Sequence, residues 1–242
     1  MKRRPEGPKG DQLDDGRLFV IGDIHGCATE LAAMLKAISP AARDVVVFVG
    51  DYVDRGPSAR DVVQQLIEFR DAPGEKVFLK GNHEDMMLSF LGFPGRYGDC
   101  FLLNGGFSTL QSYDSQDVRE AVERIPPAHL EFIRSLRPYE LRPPYLFVHA
   151  GIRPSRAWEQ QDEEDMLWIR QEFILEPHNL GYTVVFGHTP MKAVMLNLPH
   201  KIGLDTGLVY GGKLSCIELV EGLLYQISRG SREVRVGRLA LG

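Results

Sequence analysis

Short apolar runs, each ending in glycine and a polar cluster, set the pattern of this chain. Leu18 to Gly26 reads LFVIGDIHG, Val47 to Gly56 reads VFVGDYVDRG, and Val77 to Glu84 reads VFLKGNHE. A short continuous apolar run bounded by turn residues is the mark of a buried strand, so strands are expected over residues 17–22, 44–50 and 76–80. Between the first two, Leu31, Met34, Leu35 and Ile38 recur at helical spacing and predict a helix over 28–38. Ser58 with Asp61 reads as a capping box opening a helix over 59–70, with Val62, Leu66 and Phe69 on its inner face. Residues 84–91 read as a third helix. Strand–helix alternation of this kind predicts a parallel sheet, whose ligands gather at the carboxyl ends of the strands.

The texture changes over residues 93–144. Glycine and aromatic residues punctuate it first, and short helical patterns follow over 118–125 and 128–136, interrupted by Pro126-Pro127, Pro138 and Pro143-Pro144. We expect a mainly helical insertion beside the site, a fold of its own being the alternative. Strands return over 145–149 and over 183–187, the latter ending in His188, with a helix expected over 163–174 between them. Residues 202–205, 213–220 and 223–228 read as further strands, Glu221-Gly222 being a hairpin turn. The late strands predict a mixed sheet.

Composition narrows the class. The 242 residues suit one domain, expected over 17–242 after a polar, disordered arm over 1–16. At 43% hydrophobic residues the chain can bury a sizeable core, and a net charge of −5 carries no general nucleic-acid footprint. No run approaches the roughly 20 apolar residues of a membrane span. Three widely spaced cysteines, Cys27, Cys100 and Cys216, argue against a disulfide framework and for a reducing, cytoplasmic setting. Cys27 at a helix start reads as a small first-turn residue, a thiol of lowered pKa being the alternative.

Five polar clusters follow apolar strands: Asp23 with His25, Asp51 with Asp54 and Arg55, Asn82 with His83, His149, and His188. Charges at the end of a buried strand are costly unless something pairs them. Carboxylate, imidazole and amide oxygen together suit Mn, Fe or Zn, and the lack of cysteine among them argues against a structural zinc site. Asp51 lies centrally in the series and is the natural bridge of a two-metal centre. His129, His178 and His200 fall outside the clusters and read as surface residues, and the acidic run EQQDEED over 159–165 reads as a solvated loop.

In order, GDIHG (22–26), GDYVDRG (50–56), GNHE (81–84), HAG (149–151) and GHTP (187–190) resemble the signature set of the phosphoprotein phosphatase family of metallophosphoesterases. DMLWIR (165–170), DTGLVYGGKL (205–214) and the compact length are most similar to its bacterial and phage branch. The resemblance implies an α/β fold, a four-layer calcineurin-like sandwich of two mixed sheets flanked by helices. It implies two divalent ions, Mn2+ first with Fe or Zn as alternatives. Asp23 and His25 would bind the first ion, Asn82, His149 and His188 the second, and Asp51 both. It also implies that Arg55 and Arg170 clamp the substrate phosphate, that Tyr210 lines the pocket, and that His83, oriented by Asp54, protonates the leaving group. A bridging hydroxide would attack phosphorus in line, with no phosphoenzyme.

Three functions follow. The first is a phosphomonoesterase acting on phosphorylated protein or peptide at serine or threonine, with small phosphoesters also accepted and no nucleic-acid or membrane partner. The second is a hydrolase of dinucleoside polyphosphates. The symmetrical diadenosine tetraphosphatases typically read GDLVARG and GNHD, so Asp54 and Glu84 favour the first. The third, an inactive phosphoprotein-binding scaffold, would be expected to have lost a ligand or His83, and all are present.

Overall fold

The computed structural model describes residues 16–114 and 118–241. The arm expected over 1–16 lies outside them, Gly16 excepted. Two mixed sheets stack face to face. The first contains β1 (Leu18–Ile21), β2 (Val45–Phe48), β3 (Glu75–Phe78), β9 (Lys213–Glu218), β10 (Leu223–Ser228) and β11 (Arg235–Arg238), in the order β11-β10-β9-β1-β2-β3. The second runs β4-β5-β6-β8-β7, from β4 (Tyr139–Arg142), β5 (Tyr145–Val148), β6 (Thr183–Phe186), β7 (Met195–Asn197) and β8 (Lys201–Gly203). β1, β2 and β3 are parallel, as are β5, β6 and β8, while the remaining pairings are antiparallel.

Alternation along each strand builds the layers, because successive side chains point to opposite faces. Leu18, Val20 and Val47 meet Phe147, Val185 and Ile202 between the sheets. Phe19, Ile21, Val46 and Phe48 instead pack under α1 (Ala28–Ile38) and α2 (Ala59–Phe69). Leu146, Val148, Val184 and Phe186 pack against α7 (Glu163–Trp168) and α8 (Gln171–Leu175), through Met166, Ile169 and Phe173. Each such fully buried side chain contributes roughly 1.5–3 kcal/mol. The result is helix, sheet, sheet, helix, the expected α/β sandwich.

Several local expectations are corrected. Ser58 makes no side-chain capping bond at α2. The capping glutamate is at α3 (Asn82–Phe90), where Glu84 accepts the Gly81 N–H at 2.9 Å. The 93–144 segment holds a π-helical turn (Leu102–Gly106), α4 (Phe107–Ser112), α5 (Val118–Arg124) and α6 (Pro127–Arg134), but it ends in β4, antiparallel to β5. Pro138 and Pro143-Pro144 therefore bracket an edge strand. The helix expected over 163–174 breaks at Ile169 and Arg170, both of which leave helical geometry. The acidic run is largely exposed, as expected, but it is not a loop: it leads into α7, where Asp162 accepts the Asp165 N–H at 2.8 Å, and Asp165 is buried against Arg153. His129 and His178 are buried as well. His129 lies between the Tyr113 hydroxyl and Gln64 Oε1, while His178 Nε2 donates to the His200 carbonyl.

Among the described residues no helix is long and apolar enough to cross a membrane.

Candidate active site

The polar clusters converge where the carboxyl ends of β1, β2, β5 and β6 meet the start of α3. Glycine makes the approach possible. Gly50 has φ of 106°, and a Cβ there would lie 2.6 Å from Gly81 N and 2.9 Å from His149 Nδ1. A Cβ on Gly187 would lie 2.0 Å from Asp23 Oδ1. Backbone bonds tie the first two loops together, the N–H groups of Ile24 and His25 donating to the Asp51 carbonyl at 3.0 and 2.9 Å. Eight described non-glycine residues have positive φ, and five belong to this cluster: His25, Asp51, Asp54, Arg55 and His188. Such backbone is costly and persists where its surroundings over-determine it, often at functional sites.

Glu84 supplies much of that determination. Its fully buried carboxylate accepts the N–H groups of Asp51 (3.0 Å), Tyr52 (2.7 Å), Val53 (3.1 Å) and Gly81 (2.9 Å). Burial and the neighbouring Asp51 push it up to about 7 against the pull of these donors. Its place three residues after Gly81 was the available signal for this role.

Ligand-type atoms gather around Asp51. Those of His25, Asp51 and His83 lie within 4.8 Å of one another, as do those of Asp51, His149 and His188, so Asp51 belongs to both groups. His25 Nδ1 donates to the Val53 carbonyl (2.9 Å) and His149 Nδ1 to that of Val49 (2.8 Å). Their neutral rings therefore present an Nε2 lone pair. His149 Nε2 faces Asn82 Oδ1 at 3.0 Å, His188 Nδ1 at 3.2 Å and Asp51 Oδ1 at 3.3 Å, while His188 Nδ1 is 2.9 Å from Asn82 Oδ1. A carbonyl oxygen, a carboxylate oxygen and ring nitrogens at such spacing lack the protons to satisfy one another. Such a donor set could hold a cation.

The electrostatics agree. Burial lowers His25 to about 3, lowers His149 and holds His188 well below its ordinary value, leaving neutral imidazoles. Burial opposes charge on Asp51, but His149, His83 and His25 outweigh it and depress its pKa. Asp23 is pushed well up by burial and by Asp205 and Asp51. Three buried carboxylates this close repel one another, and a divalent cation relieves that repulsion. Asp23 is not within the two tight groups. Its Oδ2 accepts the His188 N–H at 2.9 Å, across the join between sheets. Asp205 had no role in the sequence reading, although it follows β8 much as polar residues follow the earlier strands.

His83 and Asp54 form a separate pair. His83 Nδ1 donates to Asp54 Oδ2 at 2.6 Å, and both side chains are buried. Burial disfavours the imidazolium, but Asp51 and the Asp54 hydrogen bond outweigh it and raise the pKa of His83. Thr109 of α4 fixes Asp54 from behind, donating to Oδ1 at 2.6 Å and accepting the Asp54 N–H at 2.8 Å. No sequence signal marked Thr109.

Two arginines border the cluster. Arg55 Nη1 donates to His25 Nε2 at 2.6 Å, and its guanidinium carbon lies 5.6 Å from the ring centre of exposed Tyr210. Arg170 lies at the α7–α8 break and not on a helix face. Its Nη1 donates to the His188 carbonyl at 3.0 Å, which brings it to the opposite side.

Known proteins resemble this chain in sequence and fold. The chain is 27% identical to bis(5'-nucleosyl)-tetraphosphatase PrpE (asymmetrical) of Geobacillus sp. (strain WCH70), over 85% of this chain and 91% of that one. A crystal structure assigned provisionally as a diadenosine tetraphosphatase superposes with a TM-score of 0.68 at 26% identity, covering 89% and 95% of the two chains. A protein serine/threonine phosphatase from Saccharomyces cerevisiae superposes at 0.57 and 16% identity, over 92% and 79%, a likeness of fold alone. The calcineurin-like phosphoesterase model matches residues 16–217, and the chain belongs to that family of metallophosphoesterase hydrolases.

Proposed function

We propose that the chain hydrolyses bis(5'-nucleosyl) tetraphosphates asymmetrically, water adding across one phosphoanhydride to release a nucleoside monophosphate and a nucleoside triphosphate. The observation that carries this is the extent of the likeness to relatives named for that activity, which runs over most of both chains and not the motifs alone. The sequence argument against it rested on Asp54 and Glu84. Within the protein, Glu84 holds the 51–53 loop, a structural role that does not distinguish one substrate from another, whereas Asp54 holds His83.

In this reading Asp23 and His25 would hold one divalent ion and Asn82, His149 and His188 the other, with Asp51 between. The donor set suits Mn2+, and equally Fe or Zn. Bound there, the ions supply Lewis-acid charge to the phosphate and lower the pKa of water toward neutrality. Arg55 and Arg170 grip non-bridging oxygens from opposite sides and place phosphorus in line. His83 carries a proton at Nε2 for the departing oxygen, Asp54 fixing its ring. Tyr210 walls the Arg55 side. The three cysteines are free and suit a reducing cytoplasm.

The Asp54–His83 pair favours a second reading, a protein serine/threonine phosphatase, because an alkoxide leaving group needs a proton far more than a phosphate does. Measuring kcat/KM for diadenosine tetraphosphate and a phosphoserine peptide on the same Mn-loaded protein separates the two. We expect the nucleotide to lead by tenfold or more. A tenfold lead for the peptide would overturn the first reading in favour of the second.

A further inference from the structure

A cavity of about 560 Å³ opens beside the candidate metal centre, lined by Trp168, Arg170, Arg153, Glu164 and Glu172 among others. Its size falls within the range of small-molecule sites. Trp168 joins cavity to centre, its ring centroid 6.4 Å from that of His188. Arg170 does the same through its bond to the His188 carbonyl. We propose that this cavity is the subsite for the nucleoside nearest the phosphorus under attack; the proposal rests on the tetraphosphatase reading above.

Three features select that occupant. Asymmetrical cleavage of a tetraphosphate breaks the bond between the first and second phosphates from one end. One nucleoside therefore lies within a single phosphate of the reacting centre and needs a surface directly beside it. Trp168 supplies an aromatic face there. Its indole N–H is buried with no hydrogen-bond partner among the described residues, so a shift of the ring toward a base would break no hydrogen bond. Tyr97 braces the ring edge-on at 5.0 Å while its hydroxyl donates to Glu164 at 2.6 Å. Charge sets the orientation. Arg153 is already engaged by Asp165 and Glu172, whereas Glu164 has a neutral phenol as its partner. An acidic outer wall repels a polyphosphate tail and accepts from ribose hydroxyls or base amino groups. Arg170 at the inner end meets the first phosphate. The nucleoside thus enters the cavity, and the remaining phosphates leave on the Arg55 and Tyr210 side.

The chain has two tryptophans, so Trp158→Phe leaves Trp168 as the sole indole reporter. In that zinc-loaded protein, adenosine monophosphate should quench emission saturably, and inorganic phosphate should not. Absence of quenching by the nucleotide, or quenching by a basic phosphopeptide in its place, would overturn the proposal. As a second arm, Trp168→Leu should lower the ratio of kcat/KM for diadenosine tetraphosphate over p-nitrophenyl phosphate by about 5- to 150-fold, the range of base–aromatic stacking. An unchanged ratio contradicts the subsite. If the wild-type protein favours diadenosine tetraphosphate while this ratio stays unchanged, the subsite alone fails; if it favours the phosphopeptide, the functional reading fails with it.

Discussion

Replacing His83 by asparagine tests the chemistry most sharply, because its cost should depend on the leaving group. His83 is buried, donates to Asp54 at 2.6 Å and has a pKa raised by Asp51 and the Asp54 hydrogen bond, which favours its protonated form. General-acid catalysis typically contributes about 10²–10⁴-fold, or about 2.7–5.4 kcal/mol of barrier. An alkoxide leaving from phosphoserine needs all of it. A phosphate leaving group, whose own second pKa is about 6, departs near neutrality without a proton. His83→Asn should therefore lower kcat on a phosphoserine peptide by about 10²–10⁴-fold and on diadenosine tetraphosphate by about tenfold or less. Bound metal must be counted alongside, since His83 Nε2 lies 4.0 Å from Asp51 Oδ2. Equal losses on both substrates with metal retained would refute the proton-donor role, and loss of both ions would show that His83 is a ligand.

Thr109→Val keeps the shape of the side chain but strips Asp54 of a donor and an acceptor at once, leaving a buried N–H unpaired. A cost of about 2–3 kcal/mol follows, or a fall in Tm of roughly 4–12 °C for a chain this long; a change below about 1 °C would contradict the assigned contacts. Burial pushes the Cys27 thiol up to about 12 and raises Cys216 further, whereas Cys100 is half-buried. Native protein at pH 8 should therefore react quickly with a disulfide reagent at one thiol and show all three only in denaturant, and fast modification of Cys27 would contradict its packing.

The candidate site was legible because its ligand-type residues follow strands that announce themselves. The strand ends after Ile21, Phe48, Val148 and Phe186 each carry an apolar run into a polar residue, and local pattern suffices to find them. The partners that hold those residues in place were less visible. Glu84 acts across the fold on the 51–53 loop, and Thr109 reaches Asp54 from an insertion 55 residues away. Neither contact leaves a periodic trace. Edge strands β4, β7 and β11 escaped for another reason: they are three or four residues long, like most of the strands that were seen, but they are partly or wholly exposed and none of them is a continuous apolar run. His129 and His178 looked like surface residues because a buried histidine is satisfied by distant partners, here Gln64 and the His200 carbonyl. The break at Arg170 was hidden by an unbroken helical pattern on both sides, yet it is what turns Arg170 toward His188.

Everything proposed for this chain requires a pair of metal ions sharing Asp51. Native mass spectrometry of the Mn-loaded protein, with Asp51→Asn beside it, measures that directly. The account expects two ions per wild-type chain and fewer than one in the variant, both chains remaining folded. One ion or none in the wild type, or two retained in the variant, would contradict it.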